Sequence, residues 1–77
     1  MFLITKNDIQ KDTIEERRFT TFIWAITWMH AEIMRIPGKI TRSVTHNNNT
    51  GVGSVDIWDN EGNPLFTYHV EEVEDGV

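Results

Sequence analysis

The stretch DTIEERRFTTFIWAITWMHAEIMRIPG, residues 12–38, decides how the fold of this 77-residue chain is interpreted. Asp12 followed by Glu15 fits a capping box, with aspartate in the place of serine or threonine. At the other end, Pro37 disfavours helical geometry at the residue before it, and the glycine that follows supplies a turn. The pattern therefore predicts one long helix over about residues 12–36, roughly 36 Å long at 1.5 Å per residue.

The apolar residues of this stretch fall on two sides of the predicted helix. On a helical wheel, a sector of about 140° forms a core face centred near Phe22: Ile14, Phe19, Phe22, Ile26, Met29, Ile33 and Ile36. On the other side, residues spaced 4-3-4-3-4 have the seam spacing of a helix that packs against another helix: Arg17, Thr21, Trp24, Trp28, Ala31 and Arg35. These six residues are the predicted protein interface.

The second apolar side needs a cover, because one small sheet covers only one side of a helix. The N-terminal segment MFLITKN is one candidate cover, and a different protein is another, since Trp and Arg are enriched at binding hot spots. We favour a symmetric homodimer in which antiparallel helices cross near Thr27. A chain of this size buries only roughly 60–65% of its unfolded surface. It has no cysteine for a disulfide, so a second chain would add stability.

After the helix the apolar period changes from 3.6 to 2, which predicts strands. Three segments alternate apolar and polar residues between the turn-rich sequences NNNTG and DNEGNP, and the strands are expected at about residues 39–46, 52–58 and 65–73. The expected fold class is α+β, with one long α-helix packed on a three-stranded antiparallel β-meander in a single domain, residues 1–77. The segment FLIT is a candidate short N-terminal strand.

Charge is distributed unevenly along the chain, whose net charge is −5. All seven Lys and Arg residues lie between Lys6 and Arg42, whereas the segment from Ser43 onward has seven acidic residues and no Lys or Arg. We predict that part of this acidity forms a face for a basic protein partner: Asp56, Asp59, Glu61, Glu71 and Glu72. Direct nucleic-acid binding is not expected, because domains that bind nucleic acid are normally basic.

No motif indicates catalysis, a cofactor or a metal. The histidines lack metal-ligand spacing, and Tyr68 and His69 point to opposite sides of a predicted strand. Gly51 and Gly53 open a strand, whereas a dinucleotide fingerprint opens a helix. No run is apolar enough for a signal peptide or a membrane span, so the expected location is the cytoplasm. The sequence therefore predicts a protein that acts by contact and is not an enzyme.

In size and charge, this compact acidic chain resembles the accessory proteins of phages and mobile elements. The resemblance implies an inhibitor of a host protein that handles nucleic acid, with the acidic second half meeting a basic site. The alternative hypothesis is a dimer that sequesters a nucleotide-type ligand. In that case Trp24, Trp28, Arg17 and Arg35 around a two-fold axis would stack on the ligand and neutralise its charge.

Overall fold

In a computed structural model, the chain forms a five-stranded antiparallel sheet with one helix in the part that the structure describes, residues 1–47 and 52–74. The elements are β1 (Phe2–Asp8), β2 (Thr13–Phe19), α1 (Phe22–Met34), β3 (Ile40–Asn47), β4 (Val52–Asp59) and β5 (Pro64–Glu72). The sheet order is β2-β1-β5-β4-β3. The fold class is therefore α+β. Most of the predicted NNNTG loop lies outside the described residues.

The prediction of one long helix on three strands is wrong. The helix has 13 residues, and the first half of the predicted helix is strand β2, which forms a hairpin with β1. Asp12 is not a helix cap, because it lies in the hairpin loop with a φ of 54°, whereas an N-cap residue has extended geometry. In the same loop the Lys11 backbone N–H donates a hydrogen bond of 3.1 Å to the Asp8 carboxylate.

The helix is capped by Thr21, nine residues after the predicted start at Asp12. Thr21 has a φ of −128° and a ψ of 154°, and its Oγ1 accepts a hydrogen bond of 3.3 Å from the Trp24 backbone N–H. Because tryptophan stands where a capping box has Glu or Gln, Thr21 matches the sequence rule less well than Asp12 does. At the other end the helix stops at Met34, before Pro37.

Strand β1 pairs on both sides, with β2 at the sheet edge and with β5 in the centre. The β1–β2 register places Phe2 opposite Phe19 and Lys6 opposite Glu15. Such aromatic and oppositely charged cross-strand pairs stabilise antiparallel strands. The expected short N-terminal strand is thus a full seven-residue strand, and it supplies the surface on which β2 forms.

The three later strands lie within one residue of the expected bounds. Apolar and polar residues alternate in the sequence of β4 and β5 because these strands bury every second side chain under α1. The buried side chains include Val55, Ile57, Tyr68 and Val70. They form a meander of adjacent antiparallel strands, β3–β4–β5, which makes up one side of the five-stranded sheet.

The core lies between α1 and one face of the sheet. It consists of the buried residues Ile4, Ala25, Met29, Ile33, Val55, Ile57, Tyr68 and Val70. The buried stripe of the helix runs through Ala25, Met29 and Ile33, so the helix is rotated relative to the predicted core face. Phe22, expected near the centre of that face, is 39% exposed, and Ile14 on β2 is 68% exposed.

Candidate functional site

The side of α1 that points away from the sheet is largely apolar, with exposed His30 at its margin. We call it the outer helix face and define it by Ile23, Trp24, Thr27, Ala31 and Met34, all of which are exposed. The exposed fractions of the three large side chains are 76% for Ile23, 64% for Trp24 and 70% for Met34. Thr27 donates its hydroxyl to the Ile23 carbonyl at 2.7 Å, so this polar group is satisfied within the helix. The outer helix face therefore presents apolar surface to solvent.

The structure divides the six residues of the predicted interface. Trp24 and Ala31 belong to the outer helix face, whereas Thr21 and Arg35 are the two caps of α1. Arg17 is not on the helix at all, because it lies in β2. The 4-3-4-3-4 spacing therefore does not correspond to one helix surface. Ile23 and Met34, which were not part of the predicted interface, lie with Trp24 and Ala31 on the outer helix face.

Trp28 is separated from Trp24 and packs within the chain. Its ring centroid lies 5.7 Å from that of Phe19, and the Arg17 guanidinium carbon lies 5.4 Å from the Trp28 centroid. Stacking of a guanidinium on an indole is a favourable cation–π contact. Arg17 and Trp28 thus contact each other, whereas the sequestering hypothesis had them contact a ligand.

A second apolar feature is a cleft between α1 and the β3–β4 side of the sheet. The cleft has a volume of about 310 Å³ and lies between the first half of α1 and strands β3, β4 and β5. We call it the apolar cleft; its apolar lining is Phe22, Ile26, Met29, Val44, Val55 and Val70. Val44 is 66% exposed, so the cleft is open to solvent along β3. Its volume is at the lower end of the range of about 300–1,000 Å³ for ligand pockets.

The five residues of the predicted acidic face do not lie on one surface. Asp56 faces away from α1, where it accepts a hydrogen bond of 3.3 Å from the Thr67 hydroxyl on the neighbouring strand. Glu71 lies on this same face, which we call the open sheet face, because it alternates with buried Val70. Glu72 lies on the opposite face, next to Phe2 in the register. Asp59 and Glu61 lie at the β4–β5 turn.

Asp59 holds the β4–β5 turn together. Its Oδ1 accepts hydrogen bonds of 2.9 Å from the backbone N–H groups of Glu61 and Asn63, and its Oδ2 accepts one of 3.1 Å from the Asn63 side-chain amide. The bonds from Asn63, with smaller contributions from the Glu61 and Gly62 backbone, lower the pKa of the Asp59 carboxyl below its usual value. Asp59 therefore has a structural role, whether or not it also contacts a partner.

We expect Asp59→Ala to lower the midpoint of thermal unfolding at neutral pH. Because the folded-state pKa of Asp59 is lowered, its stabilisation is present above the unfolded pKa near 3.8 and is lost as the pH falls through the folded value. Thermal unfolding of the wild type and of Asp59→Ala between pH 7 and pH 2 measures this contribution. The difference between their unfolding midpoints should shrink below pH 3.8. Glu61→Ala, in the same turn, is the control. Equal pH profiles for the two variants would contradict the role of Asp59.

Tyr68 lies in a polar cluster below the end of α1. Lys6 Nζ is 3.5 Å from the Glu32 carboxylate and 5.9 Å from the Tyr68 ring centroid. Burial, together with the negative charges of Glu32, Glu15 and Asp8, raises the pKa of Tyr68 to about 12. The phenol is therefore protonated at neutral pH, where it cannot act as a base, and its buried ring is part of the core.

Residues 1–47 and 52–74 contain no group of three His, Asp or Glu side chains placed to hold a metal ion. Within these same ranges, no helix is both long enough and apolar enough to cross a membrane. Comparisons with protein-family models, with curated proteins and with solved structures found no match. Among the described residues, the outer helix face and the apolar cleft are the two apolar surfaces taken as candidate sites.

Proposed function

We propose that this protein acts by binding protein surfaces and not by catalysis, and that its outer helix face pairs two copies of the chain. The observation that carries the proposal is the exposure of Ile23, Trp24 and Met34, each at least 64% exposed on one side of one helix. Adjacent exposed apolar side chains of this kind mark interaction sites in soluble proteins. Tryptophan is also among the residues that dominate binding energy when an interface covers them.

A second copy of the chain fits this surface. In an antiparallel crossing near Thr27, Trp24 of one helix would pack beside Ala31 of the other. The small side chains of Thr27 and Ala31 would allow the two helices to approach closely. From Phe22 to Ala31 the helix has no Asp, Glu, Lys or Arg. Self-pairing therefore brings no like charges together at the centre, where such contacts would cost several kcal/mol.

The proposed dimer leaves the open sheet face available for another protein. Asp56 and Glu71 lie on that face, on the side of the sheet away from α1, and are suited to a partner with a basic surface. In this proposal the protein works in the cytoplasm as a regulator, and the likeness to phage accessory proteins points to a host protein that handles nucleic acid as the basic partner. Replacing Asp56 by Asn and Glu71 by Gln should then weaken binding of that partner and reduce its sensitivity to salt.

We expect the protein to sediment at micromolar concentration with about twice the chain mass of 9.0 kDa. We expect Trp24→Lys to raise the dimer dissociation constant about tenfold or more, because it places a charge in the centre of the seam. Sedimentation equilibrium over a range of protein concentrations measures both quantities.

The matched control is Ile14→Lys, which introduces the same charge at a residue of similar exposure on β2, outside the outer helix face. It should leave the dissociation constant unchanged. A protein that is monomeric at every concentration, or equal effects of the two lysines, would contradict the proposed dimer. Circular dichroism of each variant shows whether the fold is retained.

A further inference from the structure

We propose that an extended peptide segment of a partner protein adds to the outer edge of β3 as a sixth strand and inserts an apolar side chain into the apolar cleft. The cleft and the strand edge meet at Val44, which lines the cleft and belongs to β3. In β-strand addition, backbone hydrogen bonds give affinity and pockets for alternate side chains give specificity. The proposed site is separate from the outer helix face and does not depend on dimer formation.

The two edges of the sheet differ in how well they are protected against such pairing. Edge strand β2 has four consecutive charged residues, Glu15, Glu16, Arg17 and Arg18, whereas β3 has only Arg42 between Ile40 and Thr45. Charged side chains on an edge strand discourage the addition of another strand. Of the two edges, β3 is therefore the one whose backbone is open to pairing.

The charge of the β3 edge selects the partner. Within the described part of the chain, Lys39 and Arg42 have no acidic side chain within ion-pairing distance, although the whole chain has a net charge of −5. A second β3 would bring another Arg42, with Lys39 beside it, and no acid, so another copy of the chain is a poor occupant. A peptide with an acidic residue opposite Arg42 is complementary in charge.

The two-residue alternation of side chains along a strand determines the sequence pattern of the expected peptide. Arg42 and Val44 are two residues apart and therefore point to the same face. An added antiparallel strand that places an apolar side chain opposite Val44 places its residue two positions later opposite Arg42. The expected sequence is therefore an apolar residue, any residue, and then Asp or Glu. A small apolar molecule would fill the cleft but would leave the backbone groups of the β3 edge without a partner.

The test uses a nine-residue, threonine-rich peptide with a central leucine and a glutamate two positions later. Titration into the ¹⁵N-labelled protein should shift the amide signals of residues 41–45 and slow their hydrogen exchange. Moving the glutamate one position places it on the other face and should weaken binding about two- to fivefold, as for an exposed ion pair. Replacing the leucine by serine should weaken binding about tenfold, and N-methylation of the peptide backbone should remove most of it.

Protein variants provide the matched test. Arg42→Glu should reverse the charge preference, so that a peptide with lysine in place of glutamate binds better, whereas Arg18→Glu on β2 should not. Val44→Asp should abolish binding while Ile14→Asp, at a similarly exposed residue of the other edge, leaves it intact. The proposal would be overturned if peptide binding were unchanged both by Arg42→Glu and by N-methylation of the peptide. It would also be overturned if the cleft bound only a small apolar dye, or if Val44→Asp impaired self-association and left peptide binding intact. Failure of these tests leaves the dimer of the outer helix face unaffected, because Trp24→Lys tests that separately.

Discussion

Replacing Ile4 by alanine is expected to reduce the free energy of unfolding by about 2–5 kcal/mol. Ile4 is completely buried in β1, between β2 and β5 and under α1. The deletion removes buried methyl and methylene groups and leaves a cavity that the neighbouring strands cannot close. A domain of 77 residues has a total stability of about 4–12 kcal/mol, so the variant should lose a large part of it. Urea unfolding followed by circular dichroism measures the change.

The control is Leu3→Ala, which shortens the neighbouring side chain on the open sheet face. Leu3 is only partly buried, so its replacement should cost clearly less than that of Ile4. Equal slopes of free energy against urea in all three proteins would show that stability alone has changed. If the N-terminal segment were a loose cover over a three-stranded sheet, both substitutions would have small and similar effects. That result would contradict the position of β1 inside the sheet.

The sequence allowed the C-terminal half of the fold to be predicted because burial there is one-sided. In β4 and β5, Val55, Ile57, Tyr68 and Val70 alternate with less buried residues, and this produces a clear period of 2. Strand β2 has no such period. It lies at the edge, residues 13–18 are all exposed, and its sequence TIEERRF is charged on both faces. Nothing in its apolar pattern distinguishes it from the start of an amphipathic helix.

The β1–β2 hairpin, which the sequence did not predict, also explains why only part of the candidate site could be predicted. The β1–β2 hairpin contacts one flank of α1, where Phe19 packs on Trp28 and Lys6 pairs with Glu32. Those contacts orient the helix so that its buried stripe includes Ala25. Alanine is small, so it contributes little to the apolar face that a helical wheel predicts. Trp28, predicted to be in the interface, is therefore half-buried, whereas Trp24 stays exposed on the outer helix face.

The rotation of the helix can be tested by enlarging its two alanines. Ala25 is completely buried between α1 and the sheet, so Ala25→Leu must push the helix or the strands apart. We expect a loss of about 1–3 kcal/mol in the free energy of unfolding, the usual cost of overpacking a filled core. The measurement is urea unfolding at a protein concentration low enough that each variant is monomeric, because a dimer would make the midpoint depend on concentration.

Ala31→Leu is the matched control, since it is the same change in the same helix at an exposed residue. Leucine and alanine differ little in helix propensity, so this variant should stay within about 0.5 kcal/mol of the wild type in unfolding. Its effect should instead fall on self-association, because Ala31 belongs to the outer helix face. The opposite result, a tolerated Ala25→Leu and a destabilising Ala31→Leu, would mean that the helix buries the side through Trp24 and Ala31. In that case the seam proposed for the dimer would be part of the core.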